Sequence, residues 1–178
     1  MNSSSGGIVS STQRLRLREF TLQDAAFVIE LLNEPDWLRF IGDRGVRTLD
    51  DAKCYLREGP LASYASNGFG HWVVERRADG ELLGMCGLIR RPTLEHVDVG
   101  FAFLARHRGQ GYATEAARAT LQHGFAVLGL ARIDAITTPD NTASQRVLER
   151  AGLRREVARR LGESREELAL YSVSAPPT

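Results

Sequence analysis

The sequence is short of the residues that build disulfide-rich and zinc-binding proteins. Its 178 residues include only two cysteines, Cys54 and Cys86, which lie far apart in the chain. A disulfide framework needs several cysteines, and a zinc site needs ligands at close, regular spacings, which neither cysteine has. We therefore predict that both are buried free thiols in a protein that resides in a reducing compartment.

The sequence also lacks a long apolar run and a large excess of either charge. No stretch has the pattern of a signal peptide or the length of a membrane span. The net charge of +1 argues against binding to nucleic acid through bulk phosphate attraction, although a small basic patch would still suit a phosphate-bearing cofactor. These absences predict a cytoplasmic protein with no membrane partner and no direct nucleic-acid contact.

Length and composition predict one globular domain. The hydrophobic fraction is 43% and the charged fraction is 25%, both ordinary for globular proteins. A chain of 178 residues is long enough to bury a core, and it contains no internal repeat. Residues 1–12 are rich in Ser and Gly and are predicted to be a flexible leader. Residues 13–174 are then the domain, and residues 175–178 are a tail.

The most informative stretch runs from residue 97 to residue 116. Its first half places Val97, Val99, Phe101 and Phe103 on one face, which is the period of a β-strand. Beyond residue 112, apolar residues recur at helical spacing. The stretch therefore predicts a strand, a tight turn and a helix.

The turn at residues 106–111 contains two glycines, Gly109 and Gly111, and two arginines, Arg106 and Arg108. Glycines one residue apart let the backbone turn with its N–H groups pointing inward. Together with the unpaired N–H groups at the start of the helix, they would form an anion site, to which the arginines add charge. The alternative is a basic strand-to-helix turn whose glycines serve only steric needs.

Two well-known phosphate-binding motifs do not fit this turn. A P-loop would end in Gly-Lys-Ser/Thr, and no lysine follows Gly111; a dinucleotide fingerprint would have a third glycine where Thr114 stands. The pattern Arg106-x-x-Gly109-x-Gly111 instead resembles the acyl-CoA signature of the GCN5-related N-acetyltransferases (GNAT). The wider string Arg-Gly-Gln-Gly-Tyr-Ala-Thr-Glu-Ala is similar to that of the RimJ/RimL-type ribosomal-protein alanine acetyltransferases.

Other patterns predict the elements around this turn. Asp79-Gly80 between two β-rich runs is a strong hairpin signal, and Gly152 suits a helix end. The predicted strands are residues 14–18, 70–75, 82–88, 97–104, 131–137, 154–158 and 168–173. The predicted helices begin after Thr21, at Thr48 or Asp50, after Gly111, and at Asp140 or Asn141.

A second motif lies one helix and one strand beyond the glycine turn. Residues 141–153 read Asn-x-x-Ser-x-x-Val-Leu-Glu-x-x-Gly-Leu, which resembles the other acetyl-CoA motif of the GNAT family. The resemblance covers roughly residues 14–173. It implies an α/β fold with a mixed, mostly antiparallel sheet of about seven strands, flanked by about four helices. In this family the sheet is splayed at its centre, and the cofactor enters that opening.

The resemblance also implies which residues bind the co-substrate, acetyl-CoA, with no metal. The main chain around Phe101, Phe103 and Leu104 would pair with the pantetheine arm, and the amide of Asn141 would bind the same arm. The pyrophosphate would lie on the turn and the start of the helix. The candidate phosphate-binding residues are Arg106, Arg108, Gly109, Gln110, Gly111, Tyr112, Ala113 and Thr114.

The implied reaction is acetyl transfer to a primary amine by direct attack in a ternary complex. Ser144 matches the serine that would protonate the leaving thiolate; alternatively, it only caps its helix. Asp98 and His96 are predicted to share one face of the central strand, where they could take the proton of the amine. Alternatively, Asp98 is a strand residue tied to an arginine. The other histidines, at positions 71, 107 and 123, are predicted to be packing or surface residues, although His107 could also touch the cofactor.

The sequence leaves the acceptor open. A protein or peptide N-terminus, a polyamine, an antibiotic or an amino-acid analogue would all fit, and the resemblance also allows a homodimer. Residues 34–47 and the loop at residues 162–167 are predicted to wall the acceptor site, although the apolar cluster near Trp37 could equally be a short helix packed on the core. The competing functions are a non-catalytic acyl-CoA sensor and a nucleotide-binding switch, which would need the missing Gly-Lys-Ser/Thr element.

Overall fold

The structure, a computed structural model, describes residues 6–156, 159–160 and 167–177. The strands in this part of the chain are β1 (Ile8–Ser11), β2 (Leu15–Arg18), β3 (His71–Arg76), β4 (Leu82–Ile89), β5 (Asp98–Phe103), β6 (Arg132–Thr137), β7 (Arg154–Arg155), β8 (Arg159–Arg160) and β9 (Glu167–Ser174). The α-helices are α1 (Ala25–Leu32), α2 (Pro35–Phe40), α3 (Leu49–Leu56), α4 (Ala62–Asn67), α5 (Tyr112–Ala126) and α6 (Thr142–Ala151).

The strands form one mixed sheet that opens at its centre. Their order is β1-β2-β3-β4-β5-β6-β9-β7, with β8 paired to β9, and neighbours are antiparallel except β5 and β6. Within the described chain, β5 and β6 share a single register pair, Asp98 with Asp134, beside a 2.9 Å hydrogen bond from Asp134 N to Val97 O. Beyond this pair the two strands separate. The predicted α/β fold with a splayed, mostly antiparallel sheet is confirmed.

Helices cover both faces of the sheet. On one face, α5 and α6 pack on a core that includes Val99, Phe103 and Ile133. On the other face, α1 and α3 pack on a second core that includes Val73 and Met85. Because β4 is buried from Leu83 to Leu88, it contributes side chains to both cores and reads as an apolar run.

Several predicted helix ends are confirmed by their hydrogen bonds. Thr48 and Asp51 form a capping box at the start of α3, in which Asp51 N donates to Thr48 Oγ1 at 3.1 Å and Thr48 N donates to Asp51 Oδ2 at 2.8 Å. Gly152 ends α6 in the left-handed region, with φ of 107°. These local signals therefore set where the helices begin and end.

The N-terminal third is more ordered and more divided than the sequence predicts. Ile8–Ser11 form strand β1 against β2, where a flexible leader is predicted, because β-branched residues there extend along a free sheet edge. The region before β3 contains separate helices, because Pro35 begins α2 and Pro60 lies in a π turn between α3 and α4. The apolar cluster near Trp37 is thus a short helix.

Some smaller predictions also change. Cys86 is buried as predicted, but Cys54 is exposed on α3, where its Sγ donates to Glu58 Oε1 at 3.3 Å. Strand β7 is shorter than predicted, and residues 157–158 of the predicted strand lie outside the described residues, as do residues 162–166 of the predicted acceptor loop. Among the described helices, none is long and apolar enough to cross a membrane.

Candidate active site

A cavity of about 1000 Å³ occupies the opening between β5 and β6. It extends from the glycine turn and the start of α6 on one side to α2, Tyr55 and His71 on the other. The first part is called here the cofactor half and the second part the acceptor half. The fold therefore brings the two predicted motifs into one cavity, next to a wall built by the N-terminal helices.

The glycine turn has the backbone geometry of an anion site. Gly109 and Gly111 have φ of 73° and 81°, values that residues with a Cβ rarely adopt. Helix α5 follows at once, and no side chain of the described residues caps its first turn. Its N–H groups are therefore available to a ligand, and residues 112–114 line the cavity.

The two arginines of the turn are engaged in contacts within the protein. Arg106 does not line the cavity, because its Nη1 pairs with Glu30 of α1. Arg108 lines the cavity, but its Nη1 pairs with Asp36, and its Nε and Nη2 donate to the carbonyl of Phe103 at 3.1 Å and 2.9 Å. The positive character of the turn towards the cavity thus comes chiefly from main-chain N–H groups.

The neighbouring residue Gln110 lies outside the cavity lining and serves the turn through its main chain. Its carbonyl accepts a 2.9 Å hydrogen bond from Arg14 Nη1. Arg14 also pairs with Glu115 of α5 at 2.6 Å and lies over the ring of Tyr112, with 4.6 Å between Cζ and the centroid. This network links the residue before β2 to the turn and to α5.

Strand β5 presents part of its free edge to the cavity. Residues 99–103 line the cavity, so the predicted residues Phe101 and Phe103 are there. Leu104 is not, because its side chain is fully buried and its N–H donates to Leu83 O at 3.0 Å. The carbonyl of Phe103 is already bound by Arg108. The main-chain groups left for a ligand are therefore nearer the start of the strand than predicted.

At the start of α6, Asn141 and Ser144 both line the cavity. Asn141 Oδ1 accepts from Ser144 N at 3.1 Å, so the amide side chain caps the helix. The hydroxyl of Ser144 takes no part in this cap and makes no hydrogen bond to a described residue. The cap thus uses the backbone of Ser144 and leaves its hydroxyl free for a ligand.

Asp98 and His96 are not brought into the cavity lining. Asp98 is 1% exposed, and both its carboxylate oxygens accept from Arg91 Nε at 3.0 Å. Burial raises the pKa of Asp98 to about 6, against the opposing pull of Arg91. His96 lies in a bend just before β5 and not on the strand. Asp98 is predicted to be either a base for the amine or a strand residue tied to an arginine, and the structure displays the contact with an arginine. That arginine, Arg91, lines the cavity.

Comparisons with known proteins agree with this architecture. The family model described as an acetyltransferase (GNAT) domain matches residues 14–154. An N-acetyltransferase of Bacillus subtilis, YnaD, whose function is uncharacterized, is 32% identical over 82% of each chain. The chain belongs to the GNAT acetyltransferase family. The predicted family is therefore confirmed, and acetyl transfer from acetyl-CoA is its general reaction.

Solved structures share the fold of this acetyltransferase. A GNAT acetyltransferase from Bacillus anthracis is 28% identical, with a TM-score of 0.77 over 93% of this chain and 97% of that one. RimL, a ribosomal L7/L12 alpha-N-protein acetyltransferase solved with coenzyme A, is 15% identical, with a TM-score of 0.79 over 94% and 97% of the two chains. The RimJ/RimL-type enzymes that the glycine-turn string resembles thus include one with the same fold.

The acceptor half of this acetyltransferase contains residues that sequence reasoning missed. His71, at the start of β3, lines the cavity although it is predicted to be a packing or surface residue. Burial, together with the charges of Arg91 and Arg44, lowers its pKa to about 4, so the imidazole is neutral at neutral pH. No local pattern marks His71, because its position in the cavity depends on the pairing of β3 with β4.

The two remaining histidines differ from each other. His123 packs against Trp72 with its ring edge-on, at a centroid distance of 5.3 Å, as a packing residue would. His107 is buried in the turn and lines the cavity, with Nε2 3.0 Å from Glu81 Oε1. Among the described residues, no group of three or more His, Cys, Asp or Glu side chains could hold a metal ion.

Proposed function

We propose that this acetyltransferase moves an acetyl group to a primary amine by direct attack, with both substrates in the cavity between β5 and β6. The observation that carries the proposal is the uncapped N-terminus of α5, which opens into the same cavity as a separate acceptor half. A site with two connected halves suits a reaction in which proximity supplies much of the rate.

The chain supplies groups that fit acetyl-CoA. The N–H groups of residues 109–114 would hold the pyrophosphate, the free edge of β5 would hold the pantetheine arm, and Asn141 Nδ2 has no partner among the described residues and can donate to it. In the reaction, the amine nitrogen loses a proton and bonds to the carbonyl carbon, the carbon–sulfur bond breaks, and the thiolate takes up a proton.

We assign the last proton transfer to Ser144. Its hydroxyl lines the cavity, and the helix cap does not use it. The hydroxyl would donate its proton to the thiolate and regain one from the nitrogen, which sheds a second proton as the amide forms. This assignment favours an enzyme over a non-catalytic acyl-CoA sensor, which would need Asn141 and the turn but not a free hydroxyl at Ser144.

The finer predictions about context stay part of this proposal. We propose that the enzyme is of the RimJ/RimL type, that it resides in the cytoplasm and that it forms a homodimer. The fold shared with RimL supports a protein N-terminus as one acceptor to test. Asp98 with His96 as the base also stays a prediction, although neither residue lines the cavity and the carboxylate of Asp98 is held by Arg91.

Binding and turnover can be tested separately. Acetyl-CoA should raise the melting temperature, and above its Kd the rise should grow with the logarithm of its concentration. Thiol release should require a primary amine and give one acetylated product per thiol. The amine panel should include an amino acid, a peptide, a polyamine and an aminoglycoside. Stabilisation by acetyl-CoA without thiol release from any amine would favour the sensor. If acetyl-CoA gave neither stabilisation nor thiol release, both the enzyme and the sensor would be excluded.

A further inference from the structure

The acceptor half is rich in hydrogen-bond donors and poor in free carboxylates. Arg44 and Arg91 line it and come from segments far apart in the sequence, the loop after α2 and the loop after β4. Trp37 also lines it, and its Nε1–H is buried without a partner among the described residues, in a side chain that is 4% exposed. A buried donor without a partner costs free energy, which a ligand acceptor atom would recover.

The two arginines are prepared for an anion in different ways. Arg91 is held through its Nε by the buried carboxylate of Asp98, which leaves both of its Nη groups without a partner among the described residues. Arg44 makes no ion pair within the described chain, and it is exposed at the rim. Asp98 is therefore a positioning residue for a cation that faces the cavity.

The acidic residues that line the cavity are already paired. Asp36 and Glu34 contact Arg108, the latter at 3.7 Å, and Asp140 pairs with Arg39 at 3.1 Å. A polyamine or an aminoglycoside would need free carboxylates to match its charges, and the described part of the cavity offers none. The positive wall would also repel an isolated ammonium group.

On the basis of the proposed acetyl transfer, we propose that the acceptor carries a carboxylate next to its amine, and that Arg44 and Arg91 bind this carboxylate with Trp37 as an additional donor. Apolar side chains around the site, from Phe40, Ile41 and Tyr55, suit an acceptor with an apolar side chain. The substrate class is then an apolar amino acid or a close analogue, in contrast to a polycation and to a protein N-terminus, which has an amide in place of the carboxylate.

The charges around His71 agree with this assignment. Arg91 and Arg44 both contribute to the low pKa of this imidazole, so both guanidinium groups act on the same part of the cavity. Their field also lowers the pKa of a nearby ammonium and increases the fraction of free amine that can attack. The carboxylate of the acceptor offsets the same field, which allows the molecule to bind.

The first test uses ligands that cannot react. Calorimetry of the protein loaded with coenzyme A should detect binding of 3-phenylpropionate at least about tenfold tighter than that of 3-phenylpropanamide, its uncharged analogue. Arg44→Gln should remove this preference. Arg47→Gln is the matched control, because Arg47 pairs with Asp43 outside the cavity lining and should keep it.

The second test uses substrates. Wild-type kcat/KM for L-phenylalanine should exceed that for L-phenylalaninamide by about 10- to 100-fold, although the amide has the more acidic ammonium group and hence more free amine. Arg44→Gln should lower kcat/KM for the acid alone. Equal use of acid and amide, an equal loss of both in Arg44→Gln, or a preference for polycations would overturn the inference. If no amine is acetylated but 3-phenylpropionate still binds selectively, the proposed acetyl transfer is wrong and the anion site is retained.

Discussion

The two halves of the cavity are built from different chemical groups. The cofactor half presents main-chain N–H groups at Gly109, Gly111 and the first turn of α5, while the two arginines of the turn, Arg106 and Arg108, are held by acids of α1 and α2. The acceptor half presents side chains, among them Arg44 and Arg91. A ligand in the cofactor half is therefore recognised by backbone geometry, and a ligand in the acceptor half by charge and shape.

This difference predicts how the halves respond to substitution. In the glycine turn, side-chain changes should be tolerated, because the donors to the pyrophosphate belong to the backbone, and only changes that alter φ or fill the turn should abolish binding. In the acceptor half, a single guanidinium or indole should decide which amine is used. The halves can thus be impaired separately.

The largest expected effect is loss of acetyl-CoA binding in Gly111→Val. A Cβ at this position would lie 3.4 Å from Arg14 Nη2, and φ of 81° is a strained value for any residue with a Cβ, at a cost of about 1–2 kcal/mol, so the turn and its N–H groups should shift. Thermal shift should show no stabilisation by acetyl-CoA. Gly129→Val is the matched control, because φ there is also positive, at 66°, and Gly129 is outside the cavity lining.

The control separates strain from binding. Both valine variants should lose stability, but Gly129→Val should retain the full response to acetyl-CoA. If a folded Gly111→Val also retained it, the glycine turn would not be the pyrophosphate site.

The next effect concerns Asp98 and pH. Its pKa of about 6 lies above the ordinary value of 3.8, so between these pH values the folded state holds a proton that the unfolded state has lost. The free energy of unfolding therefore falls as pH rises through this window. Asp98→Asn removes this dependence, and its stability relative to wild type should improve by about 3 kcal/mol between pH 3.5 and 7 in urea titrations.

An exposed carboxylate provides the control with the opposite sign. A hydrogen bond from Arg47 lowers the pKa of Asp43, so its ionised form stabilises the folded state above the ordinary pKa. Asp43→Asn should therefore lose stability relative to wild type as pH rises. If the stability of both variants relative to wild type increased as pH rises, the assignment of the raised pKa of Asp98 to burial would be contradicted.

Activity data on Asp98→Asn also address its two interpretations. A base role predicts a loss of kcat/KM at neutral pH that recovers near the pKa of the amine. A positioning role predicts a loss that is specific to acceptors with a carboxylate and present at every pH. A pH–rate profile with acid and amide substrates distinguishes the two.

A smaller and more local effect is expected at the start of α6. Ser144→Ala should lower kcat by about 100-fold with unchanged affinity for acetyl-CoA and unchanged stability, because its hydroxyl is not in the cap. Asn141→Ala should instead lose about 1 kcal/mol of stability, because Oδ1 holds the cap. If Ser144→Ala lost stability but kept a normal kcat, Ser144 would serve only to cap the helix.

Much of the cofactor half is predictable because it is local. Gly109 and Gly111 mark positive φ, Asn141 marks a helix start, and both motifs stand next to the elements that they shape. The hairpin at Gly80 and the period of β5 then place the two motifs on one sheet. The fold followed from these signals together with the family resemblance.

The acceptor half is not predictable in the same way, because long-range packing builds it. His71, Arg91 and Arg44 come from three segments and meet only when β3 pairs with β4 and α2 packs beside them. The partners of Arg106 and Arg108 were missed for the same reason, since Glu30 and Asp36 are more than 70 residues away in the chain. Charge pairing over such separations leaves no local pattern in the sequence.

A crystal structure of the protein with coenzyme A tests the central claim most directly. The account predicts that the pyrophosphate accepts hydrogen bonds from the N–H groups of residues 109–114, while Arg106 keeps its contact with Glu30 and Arg108 its contact with Asp36. A pyrophosphate held by the guanidinium groups of these arginines, with the N–H groups of the turn left to water, would contradict it.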